Sequence, residues 1–141
     1  MDILEQHREF LLIPGARVNL LPAGAPIDET SMTNDIVFSF VEWSAHARVS
    51  WLRLAAAAAA IHAESLPPIT VCNADEPLVQ DFMRRAGDYP LAGIGEMYWV
   101  KNVRVTAKLK GGASTVILRD VEQFVSQITG SSFDDPSELF E

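Results

Sequence analysis

The apolar positions fall into short runs of two kinds, and their spacing predicts an alternation of strands and helices. Ile36 to Trp43 reads as a strand. Its near-continuous run of Ile36, Val37, Phe38, Phe40 and Val41 implies cover on both faces. Ser44-Ala45-His46 then reads as a turn. Val49 and Trp51 alternate with Arg48, Ser50 and Leu52, which permits a second, hairpinned strand ending near Trp51. Six consecutive alanines, from Ala55, favour a helix from about Arg53 to Glu64, because alanine is the best helix former and a poor strand former. Residues 52–64 are the stretch where helix and strand compete.

Other segments carry clearer punctuation. Asp2 to Leu11 reads as a short helix with Ile3, Leu4, His7 and Phe10 or Leu11 near one face, stopped by Pro14-Gly15. Residues 22–34 read as a surface loop. Ile69 to Cys72 is a short strand. Asp75 is placed to cap a helix with Pro77 in its first turn and a stripe of Leu78, Val79, Phe82 and Met83, and Gly87 ends it. Asp88 to Gly95 reads as a loop. Val103, Val105, Ala107 and Leu109 alternate with Arg104, Thr106, Lys108 and Lys110, the pattern of a strand with one apolar and one basic face. Gly111-Gly112 then signals a hairpin returning through Ser114 to Leu118. Asp120 and Gln123 open a last helix whose Val121, Phe124, Val125 and Ile128 recur at helical spacing up to Gly130. The order predicts an α+β fold, a mostly antiparallel sheet with three to four helices packed against it. The chain reads as one domain, 1–141, with 131–141 as an acidic tail.

Composition narrows the function classes. With 141 residues, 48% hydrophobic and 21% charged, the chain can bury a core without disulfide staples. The formal net charge of −8 disfavours nonspecific nucleic-acid binding and makes direct DNA binding an unfavoured reading. No apolar run is long enough to cross a bilayer, and the first residues lack a secretory signal, so a cytoplasmic protein without membrane contact is expected. The single cysteine, Cys72, agrees with a reducing compartment and reads as a small buried residue.

Catalytic and ligand-binding signals are sparse. His7, His46 and His62 fall on separate elements without metal-ligand spacing. Gly93-Ile94-Gly95 precedes a strand, the wrong order for a pyrophosphate cradle. Lys101, Arg104, Lys108 and Lys110, beside Tyr98 and Trp99, would suit a single-stranded nucleic acid, but a solvated edge protected by its charges explains them better. No metal, no cofactor and no enzymatic activity is expected. Trp43, Trp51 and Trp99 read as core or interface residues, the latter suggesting a homodimer, and a tryptophan-lined small-molecule pocket is a further reading.

One ordered set of motifs adds to this. An apolar strand ends in Glu42-Trp43, a short spacer leads to Val49-Ser50-Trp51, and Ile69-Thr70-Val71-Cys72-Asn73 and the aromatics around Trp99 follow. Over roughly the middle half of the chain this resembles the RsaM-type proteins, small bacterial modulators of acyl-homoserine-lactone quorum sensing. The resemblance implies a non-enzymatic regulator that lowers quorum-sensing output through contacts with a protein partner. It singles out Glu42, Trp43, Trp51, Asn73 and Trp99 as partner-binding or fold-defining positions. The charge and the acidic tail support an alternative, an immunity or inhibitor protein that neutralises a basic toxin or nuclease.

Overall fold

The computed structural model describes residues 2–88, 95–109 and 118–133. Among them run β1 (Val18–Leu20), β2 (Asn34–Phe40), β3 (Ile69–Asn73), β4 (Met97–Lys101) and β5 (Arg104–Leu109). The helices are α1 (Ile3–Gln6), α2 (Ala45–Ala59), α3 (Pro77–Arg85) and α4 (Leu118–Thr129). The strands form one sheet in the order β1-β3-β2-β4-β5. β3 runs parallel to both β1 and β2, whereas β2–β4 and β4–β5 are antiparallel. The expectation of a mostly antiparallel sheet is thus corrected to a mixed one. Its cause lies in the connections. β2 reaches β3 through α2, and a helical crossover returns the chain to the same end of the sheet, which makes the pair parallel.

The largest correction lies at 44–54. The expected turn and second strand are the start of α2. Ser44 is its N-cap, extended at φ −104° and ψ 120°, and its Oγ accepts a hydrogen bond from Ala47 N at 3.4 Å. From there the alanine run carries the helix through Trp51. Ala47, Ser50, Trp51, Leu54, Ala57 and Ala58 form its buried face at helical spacing. Phe38 of β2 meets Trp51 edge-on with ring centroids 5.0 Å apart, so α2 covers that face of β2. α4 packs beside α2. On the other face α3 brings Phe82 against Tyr98 of β4, centroids 5.1 Å apart.

The second correction concerns the hairpin. Met97–Lys101 is itself a strand, and β4 turns into β5 at Asn102-Val103, both with positive φ (52° and 61°). Backbone N–H groups of Asn102 and Val103 donate to Thr33 O and Met32 O, which holds this turn in place. Gly111-Gly112 and 114–117 lie outside the described residues, as do Gly93-Ile94 and the tail from residue 134. Leu118, expected to end a returning strand, is the first residue of α4. α4 otherwise follows its predicted stripe, with Val121, Phe124 and Val125 buried. No helix among the described residues is long and apolar enough to cross a membrane.

Candidate functional site

Strand direction selects one end of the molecule. In an open sheet with parallel strands, the loops beyond the carboxyl ends of those strands are free to form a crevice. Here those loops are 41–44, between β2 and α2, and 74–76, between β3 and α3. Trp43 stands out on this rim with 65% of its surface exposed. It is held there by the opposite loop, because Trp43 Nε1 donates to both carboxylate oxygens of Asp75, at 3.2 and 3.1 Å. Asn73 in turn fixes Asp75, its Oδ1 accepting the Asp75 N–H at 3.0 Å. A side chain pinned in this way loses little further rotamer freedom when a partner covers it.

Next to Trp43, Glu42 Oε1 lies 3.2 Å from His7 Nε2, and the His7 ring sits 5.6 Å from that of Phe40. This contact brings the N-terminal segment to the rim. The segment entering β4 closes the site from below. Gly95 has φ +78°, and a Cβ there would lie 2.9 Å from Ala47 Cα and 3.0 Å from Ser50 Cβ. Only glycine lets the backbone approach the first turns of α2 so closely.

Beneath the rim runs a buried polar row from β3 across β2 to Glu96, the residue before β4. Ser39 Oγ donates to Glu96 Oε2 at 2.5 Å and accepts the Glu96 N–H at 3.0 Å. Cys72 is the register partner of Ser39 on β3, and its Sγ donates to Phe38 O at 3.4 Å. Burial pushes the Cys72 thiol far above its usual acidity range, and the nearby Glu96 and Glu76 carboxyls add to the shift. Tyr98 is shifted upward too, by burial first and by Asp88 second. Among the described residues no group of three His, Cys, Asp or Glu side chains could hold a metal ion.

The residues singled out from sequence separate in space. Glu42 and Trp43 share the rim, and Asn73 reaches Trp43 through Asp75. Trp51 is fully buried and donates its Nε1–H to Phe10 O at 3.0 Å. Trp99 lies at the opposite end of β2, opposite Ile36, with its Nε1–H on Asn34 Oδ1 at 2.8 Å. A pocket lined by all three tryptophans is therefore excluded. Sequence reasoning missed Asp75 as the anchor of Trp43, and missed Ser44, His7 and Gly95. The Asn-x-Asp spacing before a helix was the one available signal, since Asn side chains commonly accept from the N–H two residues on.

Neither a family model nor a curated protein matches the chain in sequence. Solved structures do match in three dimensions. Reduced desulfothioredoxin from Desulfovibrio vulgaris Hildenborough superposes with a TM-score of 0.56 at 13% identity, over 80% of this chain and 97% of that one. Schistosoma mansoni thioredoxin gives 0.57 at 11%, over 80% and 99%. Chlamydomonas reinhardtii thioredoxin f2 gives 0.56 at 10%, over 82% and 99%. The fold is thioredoxin-like. The expectation of a quorum-sensing modulator, and its alternative of an immunity or inhibitor protein, are overturned by this finding, since the matching structures are thioredoxins.

A thioredoxin-like fold raises the question of redox chemistry, and the residues answer part of it. Thioredoxin-type exchange runs on a Cys-x-x-Cys pair beside a βαβ unit, with a thiolate favoured by its surroundings. The β2-α2-β3 unit here opens its helix with Ser44-Ala45-His46-Ala47, which places serine and alanine at that spacing. The one thiol of the chain is buried near the end of β3, below the rim rather than on it, and burial pushes its pKa upward.

Proposed function

We propose that this chain is a thioredoxin-fold binding protein that performs no dithiol exchange and no other bond-making chemistry, and that it grips an extended segment of another protein at the rim around Trp43. One observation carries the reading. The helix that follows β2 begins with Ser44-Ala45-His46-Ala47 beneath a pinned, exposed tryptophan. An intrachain disulfide needs two cysteines, and this chain has one. What the rim offers instead is contact area. A rigid, exposed indole is among the side chains that most often dominate interface energies. Leu78, in the first turn of α3 just beyond the β3–α3 connection, is a second exposed apolar side chain.

The insulin turbidity assay with dithiothreitol tests both halves. The protein should leave the onset of precipitation at the dithiothreitol-only rate, because it has no dithiol to exchange. At equimolar concentration it should lower the turbidity plateau by holding the released, unfolded B chain, and Trp43→Ala should lose that effect while keeping its circular dichroism spectrum. A Ser44→Cys/Ala47→Cys variant should form an intrachain disulfide and advance the onset. An earlier onset with the natural sequence, or a plateau that neither it nor Trp43→Ala changes, would overturn the proposal.

A further inference from the structure

A second surface lies at the far edge of the sheet, away from Trp43. β5 pairs with β4 on one side only, so among the described residues its other edge presents unpaired backbone N–H and C=O groups. An open groove of about 500 Å³ runs along that edge, between β5 and the end of α3. Its lining includes Arg85, Arg104 and Lys108, with Glu29 as the only acid among the described residues. Arg85 is held by Glu29, with its Nε at 3.1 Å and Nη2 at 3.0 Å from the carboxylate oxygens. Lys108 is drawn toward buried Asp88 at 3.2 Å and Ala86 O at 2.8 Å. Arg104 is exposed and forms no ion pair among the described residues. Among the described residues, the three cations of the lining meet Glu29 and the adjoining Asp88, which leaves the groove positive on a chain whose net charge is −8.

The geometry points to the edge of β5 that is unpaired among the described residues as an acceptor for an acidic, extended peptide segment of another protein. That segment adds as a sixth strand and places a carboxylate against Arg104. The strand edge supplies main-chain hydrogen bonds, and alternate side chains of the added strand fall on the groove side. Charge selects the occupant. A second copy of this chain pairing edge to edge would bring the Arg104 and Lys108 of two strands together, and like charges on facing strands repel. An acidic strand meets the same side chains with opposite sign. An extended ligand also suits an open groove better than a compact anion, because the cations are spread along the strand from 104 to 108.

The test is fluorescence anisotropy with a short, end-capped, fluorescein-labelled peptide that alternates glutamate and valine, at low salt. Binding should be absent for the matching lysine–valine peptide. Arg104→Glu should weaken binding about tenfold or more, as expected for loss of a charge-assisted contact and its replacement by repulsion. Two peptides N-methylated on alternate amides separate strand addition from simple charge attraction. Methylation of the set facing β5 should abolish binding, and methylation of the outward set should leave it intact. Trp43→Ala should bind the peptide as the natural sequence does, which separates this surface from the rim. The inference falls if the glutamate–valine peptide does not bind, if Arg104→Glu binds it equally well, or if both methylated peptides bind alike. It also falls if sedimentation shows a dimer that Arg104→Glu dissociates, because the edge would then be an interface between copies of this chain.

Discussion

Replacing Ser39 with alanine removes one oxygen atom from the centre of the sheet, and the structure sets what that should cost. Ser39 Oγ meets Glu96 three times, as a donor 2.5 Å from Oε2 and 3.4 Å from the backbone O, and as acceptor of the backbone N–H at 3.0 Å. Both residues are buried, Glu96 with only 1% of its surface exposed. A hydrogen bond to a carboxyl group is worth about 1.5–3 kcal/mol, and a buried donor left without its acceptor costs about 1–3 kcal/mol. The two terms overlap in part, because the site relaxes, so Ser39→Ala should lose about 2–4 kcal/mol. Domains of this size are stable by only about 5–15 kcal/mol. The assay is urea unfolding at neutral pH, followed by circular dichroism, for Ser39→Ala, Glu96→Gln and the double variant. The two changes share a contact, so the double variant should be less destabilised than the sum, with a coupling of about 1 kcal/mol or more. A loss under about 0.5 kcal/mol for Ser39→Ala, or strict additivity, would refute the role given to this pair.

Three further outcomes follow from single features. Val103 sits at φ +61°, a costly conformation for a β-branched residue, so Val103→Gly should raise stability by about 0.5–1 kcal/mol in thermal melts, and a lower midpoint would count against the turn as described. Gly95→Ala should destabilise by about 2 kcal/mol or more, because the new methyl meets Ala47 Cα at 2.9 Å and the backbone is left-handed there; unchanged unfolding would contradict that close approach. Folding raises the Cys72 pKa, so above about pH 8.5 the unfolded chain releases a proton that the native thiol keeps. Stability should therefore fall as pH rises from 8 to 10, with Cys72→Ala flattening part of that fall. Native protein should also stay unreactive toward Ellman's reagent until urea is added.

Parts of this architecture were legible because side-chain pattern and burial coincide. Ile36 to Phe40 is apolar on both sides because helices cover both faces of β2. Val121, Phe124 and Val125 form a stripe because α4 buries one side only. The stretch 44–54 misled for a physical reason. Alanine occupies both buried and exposed positions of α2, so the helix carries almost no apolar contrast, and Val49 and Trp51 alone suggested a strand. β1 is three residues long with Asn19 at its centre, too short for any period to show. The Asn102-Val103 turn was hidden because valine is a poor residue for positive φ, whereas Gly111-Gly112 advertised a turn downstream. Parallel pairing of β2 with β3 depends on the crossover, which no strand reveals by itself. Glu42, Trp43 and Asn73 were singled out along the chain, but nothing in the sequence placed them on one rim. The Trp43–Asp75 contact could not be named in advance, since it joins loops 32 residues apart.

Apart from Trp51 and Leu54, the inward side of α2 has low relief. Of its buried residues Ala47, Ser50, Trp51, Leu54, Ala57 and Ala58, four end at or one atom beyond Cβ. A helix this smooth can lie close to α4 and to the sheet, but it leaves no slack, and helices held so near cannot separate without opening a gap along their whole length. In most cores truncation is the dangerous change. Along this seam growth is the greater hazard, and one added methyl group at Ala57 or Ala58 would act as a wedge.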